Sequence, residues 1–306
     1  MVKKFLKNVC MIMCCTLLFS FVGCAELDLE LSESGGSDSA SESLSGEVTE
    51  KKTEKKTEKK TEKRTEKKTE KPINTFKLRF GTYNIYHAGN NKDLTKIAKN
   101  ITDNKLDIVG LQEVDNNTKR SGRINQVKKL GELTGYKYYS FFKAISHDGG
   151  EYGLAILSKY PIKSTNKISL SSGSAEQRIL GHAKIDVDGT EINFFVTHLS
   201  YDNEGGGSSR SKQFSEVATE LAKYDNFILS GDFNTRNLDE YTVIKGSALV
   251  NNKENETITY PDGRSPLDNL VYSTSVWKFD KINVVKESYS DHYMVWTEFT
   301  YTEKNK

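Results

Sequence analysis

Phe227-Ile228-Leu229-Ser230-Gly231-Asp232-Phe233-Asn234-Thr235 is an apolar run that ends in a carboxylate and a carboxamide. It reads as a buried strand whose end carries chemistry, since loops displayed by a rigid sheet usually hold the reactive side chains. Strand side chains alternate, so Asp232 and Asn234 are expected to project one way and Phe233 the other way, into the core. An Asp and an Asn two apart can hold a water and a phosphate oxygen together, because one accepts protons and the other both accepts and donates. Gly231 is expected to let the backbone pass close to a bound group. Asp and Asn also serve plain turns, so the pentapeptide alone decides nothing.

Outward from this run the chain alternates strand-like and helix-like segments. Strands are expected at 77–84, 107–112, 153–158, 180–187, 191–198, 226–231, 268–273 and 293–300. Leu94, Ile97 and Ile101 fit a helix over 93–104 entered through Asp93 as N-cap. Ile124, Val127, Leu130 and Leu133 suggest a second helix ending at Gly135, and Phe214, Val217 and Leu221 a third over 209–223. Lys159-Tyr160-Pro161 and Asp188-Gly189 read as hairpin signals. Many strands with few helices predict an α/β or α+β sandwich rather than a barrel or bundle.

Polar residues recur at the expected strand ends. Asn84 closes the first strand in Thr82-Tyr83-Asn84-Ile85, and Glu113 follows the apolar stretch of the second in Leu111-Gln112-Glu113. A carboxylate there suits a hard cation, since Mg²⁺ takes one or two carboxylates plus waters and substrate phosphate. His198 ends another strand in Thr197-His198-Leu199, and His292 lies in Ser290-Asp291-His292 just before the last. Two imidazoles provide for proton transfer and charge stabilisation. Asp268, in Leu267-Asp268-Asn269-Leu270, can hold one of them in a single tautomer. No Ser, Thr or Cys sits in a nucleophile elbow, so water is the expected attacking group.

The first quarter of the 306 residues reads differently. Lys3, Lys4 and Lys7 precede an apolar and small run from Val9 to Val22, then Gly23-Cys24, the order of a secretory signal. The run, about 14 residues, falls short of the ~20 that span a bilayer as a helix. Phe21-Val22-Gly23-Cys24 resembles a bacterial lipobox with Phe21 in place of Leu, so residues 1–24 are expected to be a signal peptide with Cys24 as the acylated mature N-terminus. An uncleaved anchor and an ordinary secreted form are the alternatives. All four cysteines, Cys10, Cys14, Cys15 and Cys24, lie in this segment, which excludes a disulfide, a thiolate nucleophile or a Cys zinc site from the folded part.

Residues 25–75 are expected to form a linker, acidic and Ser-rich first and then a Thr-Glu-Lys-Lys repeat. The period of four puts Glu54 and Glu58, or Lys55 and Lys59, at i,i+4, where like charges repel by a few tenths of a kcal/mol per pair. As a coil of about 50 residues it would reach on the order of 35–40 Å. Binding of the basic repeat to acidic envelope polymers or nucleic acid is a minor alternative. The formal net charge of +2 excludes a strongly basic nucleic-acid binder by charge alone.

Thr82-Tyr83-Asn84-Ile85, Leu111-Gln112-Glu113-Val114-Asp115, residues 152–162, Thr197-His198-Leu199, Gly231–Thr235, Leu267–Leu270 and Ser290-Asp291-His292 together, in this order, resemble the endonuclease/exonuclease/phosphatase superfamily, which includes the DNase I-like proteins. The resemblance covers about residues 77–300 and implies a catalytic domain over 76–301. It implies a four-layer α/β sandwich, two packed mixed sheets flanked by helices, with the site at one edge, and cleavage of phosphodiesters or phosphomonoesters with Mg²⁺ or Mn²⁺. Carried across by position, Glu113 is the principal metal ligand, with Asp291 and Asn84 assisting. Asp232 positions or deprotonates water, Asn234 holds a phosphate oxygen, and His198 stabilises or protonates the phosphoryl group. His292, oriented by Asp268, is the second acid/base group. Residues 114–115, 118–120 and 176–178 resemble a bacterial metal-dependent hydrolase branch, in which Arg120 and Arg178, with Asn84, would bind phosphate. Leu154, Asn269 and Met294 depart from the family pattern at positions that bear on substrate preference.

The expectation is thus an exported enzyme, lipid-anchored at the bacterial cell membrane and monomeric, acting on a phosphodiester such as nucleic acid. A phospholipid or sphingomyelin phosphodiesterase and a sugar-phosphate or nucleotide phosphatase are the alternatives. A surface binding module that kept the fold and lost the chemistry is the alternative of another class.

Overall fold

A computed structural model describes residues 74–89, 93–201, 209–287 and 289–304. The chain divides into two compact units, Met1–Glu66 and Lys67–Lys306; the first, with the expected signal peptide, Cys24 and most of the expected linker, lies outside the described residues. In chain order the strands are β1 (Thr75–Asn84), β2 (Ile108–Asn116), β3 (Tyr138–His147), β4 (Gly150–Ser158), β5 (Ile162–Ser169), β6 (Ile179–Val187), β7 (Thr190–His198), β8 (Phe227–Asp232), β9 (Ser247–Leu249), β10 (Asp268–Ser273), β11 (Trp277–Val285) and β12 (Met294–Thr302). The helices are α1 (Leu94–Asp103), α2 (Gln126–Thr134) and α3 (Ser209–Leu221).

The strands form two six-stranded sheets, ordered β11-β12-β1-β2-β4-β3 and β5-β6-β7-β8-β10-β9. Each sheet has one parallel pair in its third and fourth places, β1 with β2 and β7 with β8, flanked by antiparallel neighbours. The inner faces pack on each other through Phe80, Ile108, Ile156, Phe194, Ile228, Leu270, Val295 and Phe299, with the Phe80 and Phe194 rings stacked at 5.7 Å. The outer face of the first sheet buries Tyr83, Val109 and Leu111 against Ile97, Ile101, Val127 and Leu130 of α1 and α2. That of the second buries Phe195, Leu229 and Phe233 against Phe214, Val217 and Leu221 of α3. The result is the expected four-layer sandwich, with one apolar core between the sheets and one beneath each helical layer.

The alternation that builds these layers also places the site. Along β1 the inward residues are Leu78, Phe80, Thr82 and Asn84; along β7 they are Phe194, Val196 and His198; along β8 they are Ile228, Ser230 and Asp232. At one edge the apolar inner faces therefore give way to polar residues from both sheets. Phe233 turns outward against Phe214 and Tyr241, its ring fully buried, and anchors the end of β8 as expected. Burying such a ring is worth about 1.5–3 kcal/mol.

Several local expectations need correction. Lys159-Tyr160-Pro161 is no hairpin: β4 pairs in one sheet and β5 in the other, so the segment is a crossover. Asp188-Gly189 does close a hairpin, with Val187 opposite Thr190. Asp93 caps α1 by accepting from Thr95 N at 3.0 Å. Of the four apolar residues expected to share a face of α2, Val127 and Leu130 are buried, whereas Ile124, just before the helix, and Leu133 stay 36% and 37% exposed, because a three-residue repeat drifts around a helix of 3.6 per turn. The closeness that requires Gly231 is internal: an added Cβ would stand 2.8 Å from Thr197 Cγ2 and 2.9 Å from its carbonyl on neighbouring β7.

Candidate active site

Backbone register brings the side chains together before any side-chain contact is considered. In the second sheet His198 lies opposite Asp232, and Asp232 opposite Asp268, so three strand ends present their side chains in one row on the inner face. From the first sheet come Asn84, at the end of β1, and Glu113, on β2. Glu113 sits at a β-bulge between Leu111 and Val114 and has φ 57°, a left-handed conformation that a non-glycine residue adopts at some cost. The bulge carries β2 on to Asn116, past the expected end of the strand, and turns the Glu113 carboxylate to the cavity.

Asn84 ties the two sheets together. Its Nδ2 donates to Glu113 Oε1 and to Asp232 Oδ2, both at 3.0 Å, while its Oδ1 accepts from Tyr86 N at 3.1 Å. Asp232 Oδ2 is the centre of the group, 3.5 Å from His198 Nε2 and 3.6 Å from His292 Nε2. His292 Nδ1 is 2.8 Å from Asp268 Oδ2, the contact expected to orient the ring. Arg178 Nη1 lies 3.2 Å from His198 Nδ1 and 2.9 Å from Glu176 Oε1. A guanidinium only donates, so His198 Nδ1 accepts and its proton sits on Nε2, toward Asp232.

The electrostatics separate the two imidazoles. Burial holds His198 well below the ordinary histidine range, with Arg178 and His292 acting in the same direction, so it is neutral. Burial also disfavours a charged His292, but the Asp268 and Asp232 carboxylates outweigh it and hold this ring protonated, up to about 10. Burial pushes the Asp232 carboxyl up to about 7 against the lowering pull of His292. Burial raises Glu113 too, eased by the Asn84 hydrogen bond and reinforced by the Asp291 charge.

Glu113, Asp291, Asp232, Asn234, His198, His292 and Arg178 line one cavity of about 760 Å³. Asn234 lies beyond the strand, with φ 53°, and its Nδ2 donates to Leu199 O at 2.9 Å, so one of its two amide protons is committed to the fold. Arg120 is placed differently from the expectation. Its guanidinium forks onto buried Asp115, Nε to Oδ2 and Nη2 to Oδ1, each at 2.8 Å, and it does not line the cavity. A fully buried carboxylate requires such a partner, and the contact commits the planar donors that a phosphate would use.

Other lining residues were not foreseen. Arg210, on the apolar face of α3, donates to Asn234 O at 2.9 Å and pairs with Glu240 at 3.1 Å, fixing the loop after β8. A cation four residues before Phe214 and seven before Val217 was the available signal. Glu176, Tyr152, Tyr201, Arg236, Tyr260 and Asp262 complete much of the wall.

Two places suit a divalent cation by composition. Asp232, Asp268 and His292 offer atoms within 4.8 Å of one another. A protonated His292 is no metal ligand, however, and its proton already bridges to Asp268. Glu113 and Asp291 fit better: both carboxylates line the cavity, the Asp291 charge disfavours that of Glu113, and the hydrogen bonds they make among the described residues are with Asn84 and Ser290, neither of them cationic. That is the oxygen set a hard cation takes.

Residues 81–292 match the model of a family described as the endonuclease/exonuclease/phosphatase family. Over 167 residues the chain is 29% identical to a Caenorhabditis elegans protein named "Putative neutral sphingomyelinase"; the match takes in 48% of this chain and 36% of that one, so the chain spans about a third of that relative's length. Its fold is similar to an endonuclease/exonuclease/phosphatase from Beutenbergia cavernae DSM 12333, with TM-score 0.62, 21% identity and 74% and 72% of the two chains covered. It is similar also to a mannosyl-6-phosphatase of Bacteroides thetaiotaomicron VPI-5482, with TM-score 0.57, 19% identity and 72% and 99% covered. These two likenesses speak for the fold alone. The family match takes in the strand ends from Asn84 to His292 that the two sheets gather into one cavity, and the chain belongs to the endonuclease/exonuclease/phosphatase family.

Proposed function

We propose that the chain is a divalent-metal-dependent phosphoesterase that hydrolyses a phosphodiester by in-line attack of water. The observation that carries this is the convergence on Asp232 Oδ2 of two imidazoles, His198 Nε2 at 3.5 Å and His292 Nε2 at 3.6 Å, at the end of the cavity-lining row. Asp232, raised to about 7, is a stronger base than an ordinary carboxylate and accepts a proton from water. Its Oδ1 is fixed by Asn234 N at 3.0 Å and its Oδ2 by Asn84, so its orientation is set before substrate arrives. His198 Nε2–H and His292 Nε2–H are donors aimed where phosphoryl oxygens gain charge, and Arg178 adds positive charge behind His198. His292, protonated between two carboxylates, is also placed to give a proton to a leaving oxygen. Glu113 and Asp291 would hold Mg²⁺ or Mn²⁺, while Asn84, whose oxygen is turned to Tyr86 N and whose Nδ2 donates to Glu113, orients that carboxylate and is not itself placed as a ligand. Such an ion neutralises charge on the phosphoryl group.

Export and a lipid anchor at Cys24, with a monomeric catalytic domain on a solvated linker, complete the proposal and rest on residues 1–75 as read from sequence. No helix among the described residues is long and apolar enough to cross a membrane. A second reading, a lipid headgroup phosphodiesterase, is favoured by Tyr201, a cavity-lining aromatic that is 54% exposed. A panel of DNA, RNA, sphingomyelin, phosphatidylinositol and sugar phosphates, run with Mg²⁺ and with a His292→Ala control, tests the proposal. Turnover of at least one ester that the control lacks supports it; no turnover of any, or equal turnover by the control, contradicts it.

A further inference from the structure

A second cavity, of about 310 Å³, adjoins the first through shared wall residues, Arg236 and Asn237. Arg236 lies two residues beyond Asn234, in the loop that follows β8. Its Nη2 donates to Asp262 Oδ2 at 2.8 Å and to Ser265 Oγ. Asp262 stays charged beneath it, because Ser265 Oγ, the Arg264 backbone N–H and Arg236 all lower its carboxyl below the usual range. The guanidinium is thus held through Nη2 alone, while Nε and Nη1 have no protein partner among the described residues. The Nε–H and Nη1–H groups remain as separate charge-assisted donors for an oxyanion. Arg264 and Lys253 also line the second cavity, Arg264 with its Nε 3.9 Å from Asp262 and Lys253 with no ion pair among the described residues. Asp239 and Glu256 are the acidic groups in the same lining, so cations outnumber carboxylates there.

We infer that the second cavity is a subsite for a second anionic group, and that the substrate is a phosphoester carrying another phosphate across a spacer short enough for Arg236 to serve both. This rests on the phosphoesterase reading of the first cavity and narrows its substrate class. The second phosphate has two chemical sources, the next linkage of a nucleic-acid chain or the other end of a sugar bisphosphate.

Calorimetric titration of the full chain in Mg²⁺, with thymidine 5′-monophosphate against thymidine 3′,5′-bisphosphate and fructose 6-phosphate against fructose 1,6-bisphosphate, separates them. At least one bisphosphate should bind roughly tenfold more tightly than its monophosphate. Gain confined to the nucleotide pair assigns the subsite to a nucleic-acid backbone, and gain confined to the sugar pair assigns it to a small sugar phosphate. In Arg236→Ala, and in the double variant Arg264→Ala/Lys253→Ala, the ratio should fall to within about twofold. Ratios near one for both pairs in the unaltered chain, or a ratio that survives these substitutions, overturn the inference. A chain that shows the ratio yet leaves a chromogenic diester intact keeps the subsite and loses the phosphoesterase reading. A chain that hydrolyses the diester with a ratio near one does the reverse.

Discussion

Replacing Asp268 by Asn keeps the shape of the side chain and removes the charge that holds His292 protonated. In the unaltered chain burial opposes that charge, yet the ring stays protonated up to about 10, against about 6.5 for a free imidazole. At about 1.4 kcal/mol per unit of pKa, the difference is on the order of 5 kcal/mol favouring the cation. With a raised folded-state value, this stabilisation is fully present below about pH 6.5 and is lost as pH rises through about 10. Asp268→Asn removes the leading favourable contribution and leaves burial opposed by Asp232 and Asp291, so the His292 titration should move down. Because only five histidines occur in the chain, ¹³C-histidine NMR can follow each ring. Turnover at pH 7 should fall by about 10²–10⁴, the usual worth of a positioned acid. A His292 that titrates near 6.5 in both proteins, or a loss of turnover below threefold, would refute the reasoning.

Glu113→Gln removes a carboxylate that burial and Asp291 disfavour while keeping an acceptor for Asn84, so the metal-free protein should melt at the same temperature or slightly higher. Mg²⁺ at a hundred times its Kd should raise the melting temperature of the unaltered chain by about 5–10 °C and leave Glu113→Gln unmoved, as read by scanning fluorimetry. His182 stacks on Phe195 at 4.1 Å, and burial lowers its pKa; the unfolded chain takes up a proton near 6.5 that the native ring refuses. Its contribution is therefore present above about pH 6.5 and lost on acidification, so the urea midpoint should fall between pH 6.5 and 5, and less steeply in His182→Phe. Gly110 faces the second sheet with no room for a side chain: an added Cβ would stand 2.1 Å from Ser230 Oγ and 2.9 Å from Val196 Cγ2. Gly110→Ala should cost about 1–3 kcal/mol in denaturant unfolding, and an unchanged midpoint would show the inter-sheet contact to be looser than described.

The central strands were legible in sequence because both faces of each are buried, so their apolar runs are nearly continuous. The edge strands were not. β5 buries neither face, and Ile162–Ser169 reads as polar. β11 alternates Trp277 and Phe279, then Ile282 and Val284, with the phase broken by the irregularity between Phe279 and Lys281. A bulge hid the detail of Glu113 in the same way: its position was readable as a strand end, but its left-handed backbone was not. Asn84, His198 and Asp232 were legible as candidates because each lies where an inward-facing row changes from apolar to polar, as in Ile228, Ser230, Asp232. Arg120 and Arg178 had equal standing in sequence. Only the three-dimensional structure separates them, by placing a buried carboxylate under Arg120 and the cavity-lining His198 imidazole beside Arg178. Tyr201, Arg236 and Tyr260 project from loops without periodicity, and nothing in their spacing marks them.

Hydrolysis of bis(p-nitrophenyl) phosphate by the unaltered chain, first in EDTA and then with Mg²⁺ or Mn²⁺ restored, beside Asp232→Ala under the same conditions, is the most direct measurement. Release of p-nitrophenol should cease in chelator, return with the cation, and remain absent in Asp232→Ala throughout. Undiminished turnover in EDTA, or turnover retained by Asp232→Ala, would contradict a metal-dependent site built around that carboxylate.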